Sequence, residues 1–192
     1  MHKSLIIMLT FGISLPPAAL AADSYTVDPT HTYPQFRIDH LGFSTMHGRF
    51  DKTSGKVTLD HKAKTGSVEL EITTASISTG LAKRDDHLKS PDFFNAAEFP
   101  TITYKSTAIR YKGDTPSSVE GNLTISGVTK PVTFQIDAFK CGIDPMDPKK
   151  QKRKCGADAN AQIKRSDFGM KYAIPAVGDD VKLVLAIEAV KD

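Results

Sequence analysis

The chain has 192 residues, 25 lysines and arginines against 22 aspartates and glutamates, and 40% hydrophobic residues. Its net charge of +3 falls to +2 if residues 1–22 are removed, since that stretch holds one base, Lys3, and no acid. So small an excess of base speaks against a dedicated nucleic-acid binder, and about 170 remaining residues make one ordinary domain with a sizeable core.

The chain opens with an export signal: Lys3, an apolar run over residues 5–15, a break at Pro16-Pro17, and Ala19-Leu20-Ala21 as a small-x-small cleavage pattern. The run is too short for a stable membrane span, and no later segment has about 18 consecutive apolar residues. The expectation is cleavage near Ala21/Ala22, no stable membrane anchor, and a single domain over residues 23–192 in the periplasm. Period-two alternation then dominates. Tyr25 and Val27 begin it; Phe36, Ile38 and His40 alternate with Arg37 and Asp39; Val57 and Leu59 follow Thr53-Ser54-Gly55; Val68, Leu70 and Ile72 alternate with Glu69, Glu71 and Thr73. Such spacing is that of antiparallel strands with one face buried.

Residues 79–100, TGLAKRDDHLKSPDFFNAAEFP, break the pattern. Leu81 and Leu88 lie seven apart on one helix face, with Arg84 and Asp85 on the same side. Ser90-Pro91-Asp92 reads as a second helix start, followed by Phe93, Phe94, Phe99 and Pro100. A short helical insertion, about residues 80–95, therefore interrupts the strands and is suited to cover an open end.

Alternation resumes at Ile102 and Tyr104, continues through Val119, Gly121, Leu123 and Ile125, and is cleanest at Val132, Phe134, Ile136 and Ala138. Ala157, Ala159, Ala161 and Ile163 follow, and Val181, Leu183, Leu185, Ile187 and Ala189 close the chain. Short turn-like links imply hairpins between consecutive strands. About eight such strands without long crossovers favour a closed barrel over a sandwich. The small residues Gly121, Ala138, Ala157, Ala159 and Ala161 among the inward sets favour a cavity over a filled interior.

Cys141 and Cys155 are the only cysteines. In an oxidising compartment a structural disulfide would staple the loop between them, which holds Lys149, Lys150, Lys152, Arg153 and Lys154. A C-x-x-C redox motif and a zinc site both fit worse, since C-x13-C has neither spacing. No catalytic constellation stands out: Gly42-Phe43-Ser44-Thr45-Met46 lacks the second glycine of a nucleophile elbow, and adjacent Asp85 and Asp86 diverge on a helix. The histidines lack metal-site spacing, although closure could gather His40, His47 and His87. No metal site and no catalytic residue are expected.

Several motifs in order resemble the YceI family of exported, lipocalin-like, polyisoprenoid-binding proteins. They are His40-Leu41-Gly42-Phe43-Ser44 with Gly48-Arg49-Phe50, Arg84-Asp85-Asp86-His87-Leu88-Lys89-Ser90 with Asp92-Phe93-Phe94, Pro100 before a strand, and Gly121-Asn122-Leu123-Thr124-Ile125-Ser126-Gly127-Val128-Thr129-Lys130-Pro131-Val132. The likeness spans Tyr25 to Val190. It implies an all-β, eight-stranded antiparallel barrel and binding rather than catalysis. The implied ligand is a polyprenyl chain or a ubiquinone tail, with no cofactor besides that lipid or quinone. The expected lipid contacts are Phe36, Ile38 and Phe50 on the early strands, Leu81, Leu88, Phe93 and Phe94 on the insertion, and Ile102, Tyr104, Leu123, Ile125, Phe134, Ile136 and Phe168 beyond it. Two alternatives stay open: a filled barrel docking through its basic disulfide loop, and a quinone-handling redox accessory. A homodimer and a membrane quinone protein are the protein partners to be considered.

Overall fold

The computed structural model describes residues 22–192; the export signal expected in residues 1–22 lies almost wholly outside them. Eleven strands form one sheet: β1 (Asp23–Val27), β2 (Tyr33–His40), β3 (Ser44–Phe50), β4 (Thr53–Asp60), β5 (Thr65–Thr73), β6 (Ile77–Ser78), β7 (Thr101–Lys112), β8 (Thr115–Ile125), β9 (Val128–Ile143), β10 (Arg153–Lys164) and β11 (Val177–Lys191), with α1 (Ala82–Leu88) between β6 and β7. The order β1-β4-β5-β7-β8-β9-β10-β11 closes on itself through a β1–β11 pairing, giving an eight-stranded antiparallel barrel.

Three strands beyond the ring are continuations of ring strands. The register of β11 runs from Lys191 opposite Tyr25 to Ala189 opposite Val27, then resumes with Ala186 opposite Tyr33 and ends with Val177 opposite His40. Thus β1 and β2 are two halves of one wall strand, separated by the excursion at residues 28–32. Thr32, fully buried, mends the break: its hydroxyl accepts the Glu188 N–H (3.1 Å) and faces the Glu188 carbonyl (3.3 Å), standing in for a missing ladder partner. Likewise β3 bends into β4 at Asp51-Lys52, and β5 into β6 through a single 3-10 turn. The Asp51 N–H to Ser76 carbonyl and Thr73 N–H to Lys52 carbonyl bonds (both 3.0 Å) hold the two bends together.

The inward set is the one that alternation assigns. Tyr25, Val27, Val57, Leu59, Leu70, Ile72, Ile102, Tyr104, Val119, Leu123, Ile125, Val132 and Phe134 are all buried. Ala138 departs from it and is exposed. A β-bulge between Asp158 and Ala159 shifts the β9–β10 register there, so Phe139 rather than Ala138 turns inward. Beyond the bulge Cys141 and Cys155 sit directly opposite each other, with Cα atoms 4.0 Å apart, and are joined by a disulfide. The loop past it is ordered by Asp147, whose carboxylate accepts the N–H groups of Gln151 (2.7 Å) and Lys152 (2.9 Å).

The insertion is less helical than its sequence suggests. After α1 the chain makes turns, not a second helix: Ser90 starts one in which the Phe93 N–H reaches the Ser90 carbonyl (3.1 Å). Asn95 takes a left-handed conformation (φ 47°), which its side chain tolerates and which ends any helical run. Leu81 is not on a helix face but at the helix N-cap, with an extended backbone.

The carboxylate at the wall-strand break gives the fold an acid sensitivity. The Thr30 hydroxyl (2.6 Å), with the His31 ring (2.9 Å) and the Thr30 N–H (2.9 Å), holds the mostly buried carboxyl of Asp28 down at about 2. A depressed pKa stabilises the fold fully above the ordinary carboxylate value and progressively less as pH falls toward 2. Urea denaturation should show Asp28→Asn less stable than wild type by on the order of 1–2 kcal/mol at pH 6, with the gap closing by pH 2. A constant gap would detach the effect from Asp28 ionisation.

Candidate functional site

The barrel interior is not filled. A cavity of about 320 Å³ lies within it, walled by β2, β3, β5 and β7 to β11 and covered by the insertion. A smaller one of about 80 Å³ lies toward the disulfide end. The tight packing expected of a filled barrel is therefore absent.

Eleven of the fourteen expected contacts line the larger cavity: Phe36, Ile38, Phe50, Leu88, Phe93, Phe94, Ile102, Tyr104, Leu123, Ile125 and Phe134. Ile136 lines the smaller one. Two expected contacts are placed elsewhere. Leu81 is 54% exposed, because it precedes α1 and points away from the cavity wall. Phe168 is 2% exposed but belongs to a 3-10 turn, Arg165–Phe168, that packs it among β9, β10 and β11.

The insertion covers an open stretch of the wall, since among the described residues β6 pairs with β3 alone, and α1 packs against β6. The Thr74 N–H to Pro100 carbonyl bond (2.9 Å) and the Thr74 hydroxyl to Phe99 carbonyl bond (2.7 Å) fix its end. Phe94 meets Phe50 edge-to-face at 5.5 Å. Phe93 packs against Tyr172 (5.5 Å) and His87 (5.1 Å), so the adjacent phenylalanines serve different parts of the cover.

Polar groups gather at one end. His40, His47, His87 and Tyr172 line the cavity and are exposed, which marks its mouth. His87 Nε2 lies 2.9 Å from an Asp92 carboxylate oxygen, and Arg84 donates from Nε and Nη2 to the Thr79 hydroxyl and carbonyl (2.7 Å each). The three mouth histidines do not form a metal-ligand cluster. Among the described residues the trio with ligand atoms near one another is Asp28, His31 and Glu188, at the β1–β2 break.

Arg165 is the residue that sequence reasoning missed most plainly. It is 3% exposed, lies 5.9 Å from the Phe93 ring centroid, and donates to the carbonyls of Gly178 (2.8 Å), Met170 (3.0 Å) and Val177 (2.9 Å). Burial pulls its pKa down. Its fork ties together residues 170–178, which carry Met170, Tyr172, Ala173 and Val177 to the cavity. Neither periodicity nor a motif signals that role. By contrast Val181, Leu183 and Leu185, also in the wall, were visible as an alternating set.

Comparison with known proteins agrees with this architecture. The family model described as the YceI-like domain matches residues 25–189. The chain belongs to the YceI-like family. It is 37% identical over its whole length to the full UPF0312 protein of Pseudomonas aeruginosa (strain LESB58), and 34% identical to Protein YceI of Escherichia coli O157:H7, covering 100% of this chain and 99% of that one. Among solved structures, the YCEI protein of Campylobacter jejuni superposes with a TM-score of 0.66 at 29% identity, over 80% of this chain and 90% of its own. A polyisoprenoid binding domain from Saccharophagus degradans shares the fold at 14% identity, with a TM-score of 0.65 over 88% of this chain and 98% of its own.

Arg165 supplies a test of how the mouth is built. Arg165→Ala leaves three carbonyls without their donor, and chemical denaturation should show a loss of about 2–4 kcal/mol. Hydrogen exchange should then speed up first in residues 169–178. Unaltered exchange there would mean that the loop is held by other contacts.

Proposed function

We propose that this protein binds and carries an isoprenoid lipid, its tail inside the barrel and its head at the mouth. The observation that carries this reading is a mostly apolar cavity of about 320 Å³ with His40, His47, His87 and Tyr172 at its mouth. Each buried methylene contributes about 0.8 kcal/mol, so a long hydrocarbon tail needs a dry slot and few polar contacts. The printed description of the Saccharophagus degradans domain supports the class of ligand. The resemblance set out above supports the same class, with a polyprenyl chain or a ubiquinone tail as its members.

The proposed place of action is the periplasm, reached through the signal expected in residues 1–22. No helix among the described residues is long and apolar enough to cross a membrane. Work on a lipid in that compartment requires the protein to shield the tail from water, and the cover formed by Leu88, Phe93 and Phe94 does so on the side where the sheet is open. The proposed activity is binding, with no catalytic residue assigned.

Organic extraction of the purified protein followed by mass spectrometry tests the proposal. A stoichiometric prenyl lipid is the expected result, and a recovered quinone would direct it to quinone handling with a membrane quinone protein as partner. Extracts without prenyl lipid, together with no binding of added prenyl alcohols, would reject it. Leu88→Asn should weaken binding of a fluorescent prenyl probe about tenfold, since Leu88 faces the cavity from a helix with no buried residues. Its melting temperature should change little.

A further inference from the structure

Two cavities share the barrel, and four side chains line both: Leu70, Tyr104, Phe134 and Leu185. Tyr104 and Phe134 meet edge-to-face at 5.2 Å. The Tyr104 hydroxyl lies 3.0 Å from the Val119 carbonyl and 3.1 Å from the Val132 carbonyl, so β8 and β9 anchor a side chain rooted on β7. Gly121 makes room for it, since a Cβ there would stand 2.6 Å from the tyrosine ring. The buried phenol has its pKa pushed up, which keeps it a neutral hydrogen-bond donor.

We propose that Tyr104 and Phe134 form an internal gate, and that the chamber behind them is a second subsite for the far end of a long isoprenoid tail. This rests on the lipid-binding reading above. The chamber is suited to hydrocarbon alone: Val57, Leu59, Ile109, Ile136, Ala157 and Ile187 line it. The smallness of Ala157 and Ala159 keeps it open. On β11 the partition falls at Leu185 and the chamber reaches Ala189, about 13 Å further along the strand. A tail that ends in front of the gate leaves the tyrosine anchored. A longer tail must swing the ring aside and break its hydrogen bond. The gate residues thereby set which tail lengths are held well.

The test measures binding of farnesol, geranylgeraniol and solanesol to the wild-type chain, Tyr104→Phe and Tyr104→Leu. Circular dichroism confirms that each variant is folded. Wild type should hold solanesol about tenfold more weakly than geranylgeraniol, the cost of a broken buried hydrogen bond and a displaced ring. Tyr104→Phe, which keeps the ring and removes the anchor, should narrow that ratio, and Tyr104→Leu should bring it to about twofold or less. If Tyr104→Leu does not fold, the Tyr104→Phe ratio decides. Tails that bind with the same length ratio in every folded variant would overturn the gate and leave the lipid-binding reading standing. Failure of all three alcohols to bind would overturn that reading, and the gate with it.

Discussion

Closure of the ring depends on β11. One of its edges pairs with β10, and the other is shared by β1 and β2, with only three register pairs available to β1. The shared edge works because the Thr32 hydroxyl accepts the Glu188 N–H while the Asp28 N–H reaches the Glu188 carbonyl (2.8 Å), so both backbone groups of Glu188 are satisfied. Without that repair the wall would part where β1 hands over to β2. The cavity exists only while the ring is closed, and β11 carries Val177, Val181, Leu183 and Leu185 into it from mouth to partition.

The strands and their inward faces were legible because one-face burial imposes a period of two that few other structures share. Val132, Phe134 and Ile136 turned inward as the alternation demands, and Ala138 did not, because a bulge adds a residue without leaving a mark in composition. The second helix failed for a related reason. Ser90-Pro91-Asp92 is a good helix start, but the tertiary demand that Phe93 and Phe94 face Tyr172 and Phe50 is met by turns. Leu81, read on a helix face, is the cap of that helix, and Phe168, expected as a lipid contact, is packed away in a 3-10 turn that no alternation marks. Arg165 was invisible, since its partners are carbonyls thirteen or fewer positions away, which the sequence does not mark.

The division of the interior follows from side-chain volume at particular register positions. Large residues meet at Tyr104 and Phe134, whereas the small side chains of Ala157 and Ala159 leave room beyond them. The disulfide sits at that far end, and the polar groups sit at the mouth, bounded by Tyr172 and the histidines. The barrel thus has a covalently fastened end and an open, chemically mixed end. On the proposed lipid-binding reading, a ligand would enter and leave by the latter.

The cover over residues 79–100 has a consequence besides shaping a cavity. The two residues of β6 pair with β3, and their other edge presents backbone donors and acceptors of the kind that recruit strands from other molecules. The cover meets this edge with α1, which packs against β6, and meets the neighbouring elements with its backbone at Pro100 and the Phe94 ring. Continuous pairing of β6 with β7 would have protected the edge more simply, but it would have left no lid built from side chains. The segment therefore also lies across a strand edge that, left bare, would be open to pairing.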